Sequence, residues 1–141
     1  MKILRVEYID VPQEIIDGGR KAFTTEEIDS LEKFEDDGHE VELESGSILE
    51  PILSVFTEEC LDYIMALIDK YGVICKVIDL TDEYTKSDSV FEEFLSKYPD
   101  KRKNIEDLIL YDMTVDDVLD KINKFGIDSL TKIDKEILNN S

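Results

Sequence analysis

The sequence predicts an α+β protein: a ferredoxin-like β-α-β-β-α-β sandwich over residues 1–80, followed by a helical C-terminal appendage. Three observations carry this expectation. Four short runs, alternating or continuously apolar, read as strands. Two capped amphipathic patterns fall between the first and second runs and between the third and fourth. Beyond Leu80 the strand signals stop and apolar residues recur at helical spacing.

Lys2 to Ile9 alternates, with Leu4, Val6 and Tyr8 on one face and Arg5 and Glu7 on the other, as a half-buried strand does. Pro12 follows, then a short helical turn at Gln13–Asp17 and a break at Gly18-Gly19. Thr24 with Glu27 forms a capping box and opens a helix carrying Ile28, Leu31 and Phe34 on one side. Gly38 stops that helix where a left-handed residue is usual. Glu40 to Glu44 alternates with Val41 and Leu43 inward, Ser45-Gly46-Ser47 signals a tight turn, and Ile48 to Phe56 returns. Pro51 falls inside that third strand, which is central in the predicted architecture. Proline prefers edges and bulges, so either a bulge sits there or the strand order differs. Thr57 caps a helix from Glu58 to Tyr71 with the stripe Leu61, Ile64, Met65 and Ile68, and Gly72 ends it. Val73 to Leu80 reads as a buried strand.

Residues 81–87 are polar and read as a linker. Residues 88–141 then carry four amphipathic helices. The first runs from Asp88 to Lys97 and closes at Pro99; the second runs from Lys101 to Tyr111. The third is capped by Thr114 and ended by Gly126, and the fourth is capped by Ser129. Their apolar faces need cover, from the open face of the sheet, from one another or from a partner.

The stretch Thr114 to Leu138 is an acidic capped helix (Val118-Leu119-Asp120-Lys121-Ile122), a glycine (Gly126), then Ser129-Leu130-Thr131 opening a last helix. It resembles a helical segment at the cytoplasmic end of some bacterial rhomboid-family membrane proteases. No catalytic residue lies in that family's tail, and the membrane spans that hold its active site have no counterpart here. The resemblance therefore implies a mobile helix-turn-helix module in a bacterial cytosolic setting, not protease activity.

Charge is the strongest functional signal. The 141 residues carry a net charge of −19, well beyond the ~2–8 units that keep a small domain soluble. Between Glu26 and Glu44, ten acids (Glu26, Glu27, Asp29, Glu32, Glu35, Asp36, Asp37, Glu40, Glu42, Glu44) face only Lys33, a local charge of −9. Such a field repels nucleic acid and anionic lipid and attracts basic surfaces. Lys101-Arg102-Lys103 is the sole basic cluster, too short for direct nucleic-acid binding. No apolar run is long enough to span a bilayer, and the N-terminus reads straight into a strand without a signal-peptide core, so a cytoplasmic location is expected.

Catalytic, cofactor and metal motifs do not emerge. Cys60 and Cys75 sit in apolar patterns and read as reduced core residues, and with His39 alone they cannot complete a zinc set. His39 itself reads as an exposed loop residue. Gly18-Gly19 lacks phosphate-loop spacing, and Asp36 to Glu40 lacks the twelve-residue calcium pattern. The function expected is thus non-enzymatic: an acidic protein, immunity-like or an anti-defence inhibitor, that neutralises a basic partner. A nucleic-acid-handling enzyme would be engaged by nucleic-acid mimicry, with Tyr63, Tyr71 or Tyr84 as anchors. The alternatives are a small-molecule-sensing regulatory domain, with the tail as lid, and an oligomeric structural protein.

Overall fold

A computed structural model describes residues 1–44 and 50–140 as an α+β protein with one four-stranded antiparallel sheet. Strands β1 (Lys2–Asp10), β2 (Glu40–Glu44), β3 (Ile52–Phe56) and β4 (Ile74–Asp79) lie in the order β2-β3-β1-β4. Val6 pairs with Ile52 on one side of β1 and with Val77 on the other, so β1 and β3 are central and β2 and β4 are edges. The expected turn at Ser45-Gly46-Ser47 and the strand start at Ile48 lie outside the described residues. Pro51 is accommodated simply: β3 begins at Ile52, and a bulge in the β2–β3 ladder lies between Glu42 and Glu44. A proline just ahead of a strand forfeits no ladder hydrogen bond.

The pleat assigns the two faces. Leu4 and Phe56 project to one side, where they pack with Cys60 beneath α2 (Thr25–Asp36) and α3 (Glu58–Lys70). Ile3, Val41, Leu53 and Val55 project to the other. That second face is covered by the chain's own tail: α5 (Asp88–Ser96), α6 (Arg102–Asp112), α7 (Val115–Phe125) and α8 (Lys132–Asn139), which contribute Phe94, Leu95, Ile105, Leu108, Val118 and Ile133 to one continuous core. Two short α-helices, α1 (Gln13–Gly18) and α4 (Thr81–Thr85), and 3-10 turns at Gly19–Ala22, Pro99–Lys101 and Ile127–Ser129 complete the described elements. The stretch expected as a linker therefore holds a turn of helix. It is also tied to the sheet, since Ile3 N donates to Thr81 Oγ1 at 2.9 Å.

Caps fix the helix starts. Thr24 with Glu27, and Thr114 with Asp117, form reciprocal capping boxes, and Thr57 Oγ1 accepts from Cys60 N. Gly38 adopts φ +78° just beyond α2, the left-handed position that tolerates no Cβ cheaply. The last cap differs from expectation. Thr131, not Ser129, opens α8, because Thr131 has Asp134 three residues on to complete a box. Ser129 instead closes a 3-10 turn, donating from Oγ to the Gly126 carbonyl at 2.6 Å.

Two burial expectations change. β4 is not a buried strand: Ile74 is 54% exposed and Val77 37%. An apolar run reports affinity for a sheet but not a place within it, and lateral order is set by the connections. His39 is buried rather than exposed, its Nδ1 3.0 Å from Thr57 Oγ1 and its ring against Phe34 and Tyr111.

Candidate functional site

The ten acids do not form one unbroken stripe. Helix α2 and strand β2 turn them in several directions, and one group of four converges. Glu27 points inward and is buried between α2 and α3, accepting from Lys70 Nζ at 2.9 Å, from Tyr71 Oη and from Thr24 N at 2.8 Å. Those donors hold its carboxyl down to about 2, the Lys70 bond contributing most. It is a structural clamp. Glu32 is tied to Arg20 at 2.5 Å, and Glu44 accepts from Tyr98 Oη at 2.9 Å on the tail side of the sheet. Asp37 faces the flank holding His39 and Tyr111, while Glu26 and Asp29 are exposed on the solvent side of α2.

The remaining four come together. Glu35, Asp36, Glu40 and Glu42 line a cleft of about 340 Å³ beside β2, with Lys101 and Asn104 also in its lining. Glu35 and Asp36 come from the last turn of α2 and Glu40 and Glu42 from alternate positions of β2, so Gly38 is the corner that folds the two pairs together. Glu35, Asp36 and Glu42 are exposed, with no salt bridge among the described residues. Glu40 is half-buried beside Ser54, whose Oγ donates to it at 3.5 Å. Burial first, then the charges of Glu42 and Glu35, push its carboxyl up to about 7.

This has a measurable consequence. A carboxyl with its folded value near 7 and an ordinary value of 4.5 binds its proton more tightly in the native state. Native stability from this group is therefore greatest below pH 4.5, declines as pH rises towards 7, and is constant above. Glu40→Gln is expected to raise unfolding free energy by about 3 kcal/mol near pH 8 and to leave it unchanged near pH 4, read from urea midpoints. Glu27 runs the opposite way, stabilising fully above pH 4.5 and losing its contribution as pH falls towards 2.

The basic cluster is neutralised within the fold. Arg102 holds Glu92 at 2.7 Å and Glu106 at 2.9 Å, and Lys103 holds Asp107 at 3.2 Å. Of the three, Lys101 alone lines the acidic cleft. The expected aromatic anchors are committed as well: Tyr63 and Tyr71 pack on Phe34 and Phe23, and Tyr84 stacks on Phe94. The aromatic that sequence reasoning missed is Tyr111, 68% exposed and resting on His39 beside Asp37. Its position at the C-terminal end of α6, off the Ile105–Leu108–Ile109 stripe, was the available signal.

A second concavity, about 230 Å³, lies between the start of β1 and α7 and α8. Phe91, Ile109 and Phe125 form its apolar wall, and a buried ion pair, Lys121 Nζ to Asp134 Oδ2 at 2.6 Å, lies on its other side. Cys60 is buried, its thiol pushed up to about 12, while Cys75 is half-buried on β4; both are free. No group of His, Cys, Asp and Glu among the described residues is arranged to hold a metal ion. No helix among them is long and apolar enough to cross a membrane.

Residues 111–141, which contain α7 and α8, match a family of unknown function (DUF6576). No curated protein and no solved structure matches the chain.

Proposed function

We propose that the protein is a non-enzymatic binding protein that neutralises a basic partner protein, with the end of α2 and the edge strand β2 as its contact surface. The observation that carries this reading is the convergence of Glu35, Asp36, Glu40 and Glu42 on one cleft, where Lys101 is the one cation among the described lining residues. Uncompensated carboxylates held at one place cost stability through self-repulsion, which adds to burial, the larger cause, in pushing the Glu40 carboxyl up. A cationic partner would relieve that repulsion on binding. Tyr111 would supply an exposed aromatic contact on the flank that holds Asp37 and His39. A nucleic-acid-handling enzyme suits such a surface, since its own groove is built for a dense anionic lattice.

The scaffold in this reading is a ferredoxin-like body, supported by the order β2-β3-β1-β4 and by α2 and α3 on one face. The bacterial cytoplasmic setting rests on the resemblance of residues 114–138 to rhomboid-family tail segments. The test is affinity capture from native cell extract at low salt. Wild type is expected to retain a basic protein, and Glu35→Lys/Asp36→Lys/Glu42→Lys to lose it. Asp62→Lys/Asp69→Lys, on exposed α3 positions away from the cleft, is expected to retain it. Equal capture by all three rejects the reading.

The second reading is small-molecule sensing. It is favoured by the pocket beside Lys121 and Asp134, where the tail meets the sheet. It predicts a metabolite-dependent rise in melting temperature and indifference to basic proteins.

A further inference from the structure

The two edges of the sheet are built differently. β2 carries Glu40, Glu42 and Glu44 and no cation, an arrangement that keeps another strand away. β1 and β4 together are neutral, with Lys2, Arg5 and Lys76 balancing Glu7, Asp10 and Asp79 in a chain of net charge −19. The outer side of β4 is also open. Among the described residues no strand pairs with it, and no residue of β4 belongs to either apolar cluster. Exposed apolar side chains gather here: Ile9 at 68%, Ile74 at 54% and Val77 at 37%.

The ladder sets which backbone groups are free. Leu80 N donates to the Ile3 carbonyl at 2.8 Å, so the even positions of β4 turn towards β1. The N–H and C=O of Cys75, Val77 and Asp79 therefore point outward, because antiparallel ladders alternate residue by residue. We propose that β4 pairs with β4 of a second copy of this chain, antiparallel about a two-fold axis through Val77, extending the sheet to eight strands.

The register follows from the free groups. Pairing about Val77 sets Cys75 opposite the copy's Asp79 and uses all three outward residues. It places Lys76 across from Ile78, whereas a shift that centred Lys76 would oppose two like charges. The partner is a second copy because this is a neutral strip on a strongly anionic chain, where two such chains meet with little local repulsion. The acidic clefts on β2 would then lie at opposite ends of the extended sheet, both open.

Sedimentation at rising protein concentration tests this, at low salt and at roughly 1 M salt, where the Debye length is about 3 Å. Wild type is expected to form a dimer that tightens with salt, the opposite of the dependence expected for a basic partner. The two proposals can therefore fail separately. Val77→Pro removes an N–H that makes no bond to β1, and Val77→Lys sets two ammonium groups face to face. Each is expected to weaken the dimer by at least about tenfold while the circular dichroism spectrum is kept. A wild type that stays monomeric at millimolar concentration in high salt overturns the proposal. So does a dimer that either folded variant leaves intact, and so does occupancy of the edge only by a different polypeptide.

Discussion

Asp134→Ala is expected to lower unfolding free energy by about 3–5 kcal/mol, a large part of the ~5–15 kcal/mol that a domain commands. Asp134 is 3% exposed and serves two groups through one oxygen. Oδ2 accepts from Lys121 Nζ at 2.6 Å and from Thr131 N at 2.9 Å, while Asp134 N donates back to Thr131 Oγ1 at 3.1 Å. Removing the carboxylate leaves the Lys121 ammonium buried without a counter-charge and unmakes the cap of α8. The cap alone is worth about 1 kcal/mol, so most of the loss is the stranded charge. Lys121→Met/Asp134→Leu is therefore expected to recover most of the stability, since replacing both partners removes the desolvation cost. Urea titrations of the three proteins separate these contributions. Because α7 and α8 close the core over Ile3 and Val55, a destabilised pair should also loosen the sheet and not the tail alone.

The second large effect concerns association. If the cleft steers a basic partner, its field should raise the association rate by about 10–10³-fold at low salt. Glu35→Lys/Asp36→Lys/Glu42→Lys inverts three exposed charges with no salt bridge among the described residues, so the fold is expected to stand within about 0.5 kcal/mol. The variant should bind at least about tenfold more slowly near 0.01 M salt, where charges act over ~30 Å. Glu32 is left alone because its bridge to Arg20 already discounts it, and Glu27 because its clamp on Lys70 and Tyr71 holds α2 to α3.

Much of this architecture was legible in the chain. Thr24, Thr57 and Thr114 cap where their spacing to the following helix predicted, and Gly38 and Gly72 take the positive φ their positions required. These are local rules, and local residues satisfy them. Long-range arrangement was less visible. His39 looked like a loop residue because its partners, Thr57 and Tyr111, lie 18 and 72 positions away in sequence. The apolar composition of β4 spoke for a strand but not for an edge.

The acidic site shows the same division. Composition located the charge between Glu26 and Glu44, but the 100° turn per helical residue decided which carboxylates converge. It sent Glu27 inward and aimed Glu35 and Asp36 at β2. Lys70, which neutralises Glu27, and Tyr71, which donates a hydrogen bond to it, lie more than forty residues downstream, beyond any local pattern.

The most direct test is the salt dependence of association with the captured basic protein, measured by stopped flow for wild type and the triple reversal. The wild-type rate is expected to fall steeply between about 0.01 and 0.5 M salt, as the screening length shrinks, and the variant rate to be slow with little slope. Wild type and variant rates that coincide across that range would contradict it.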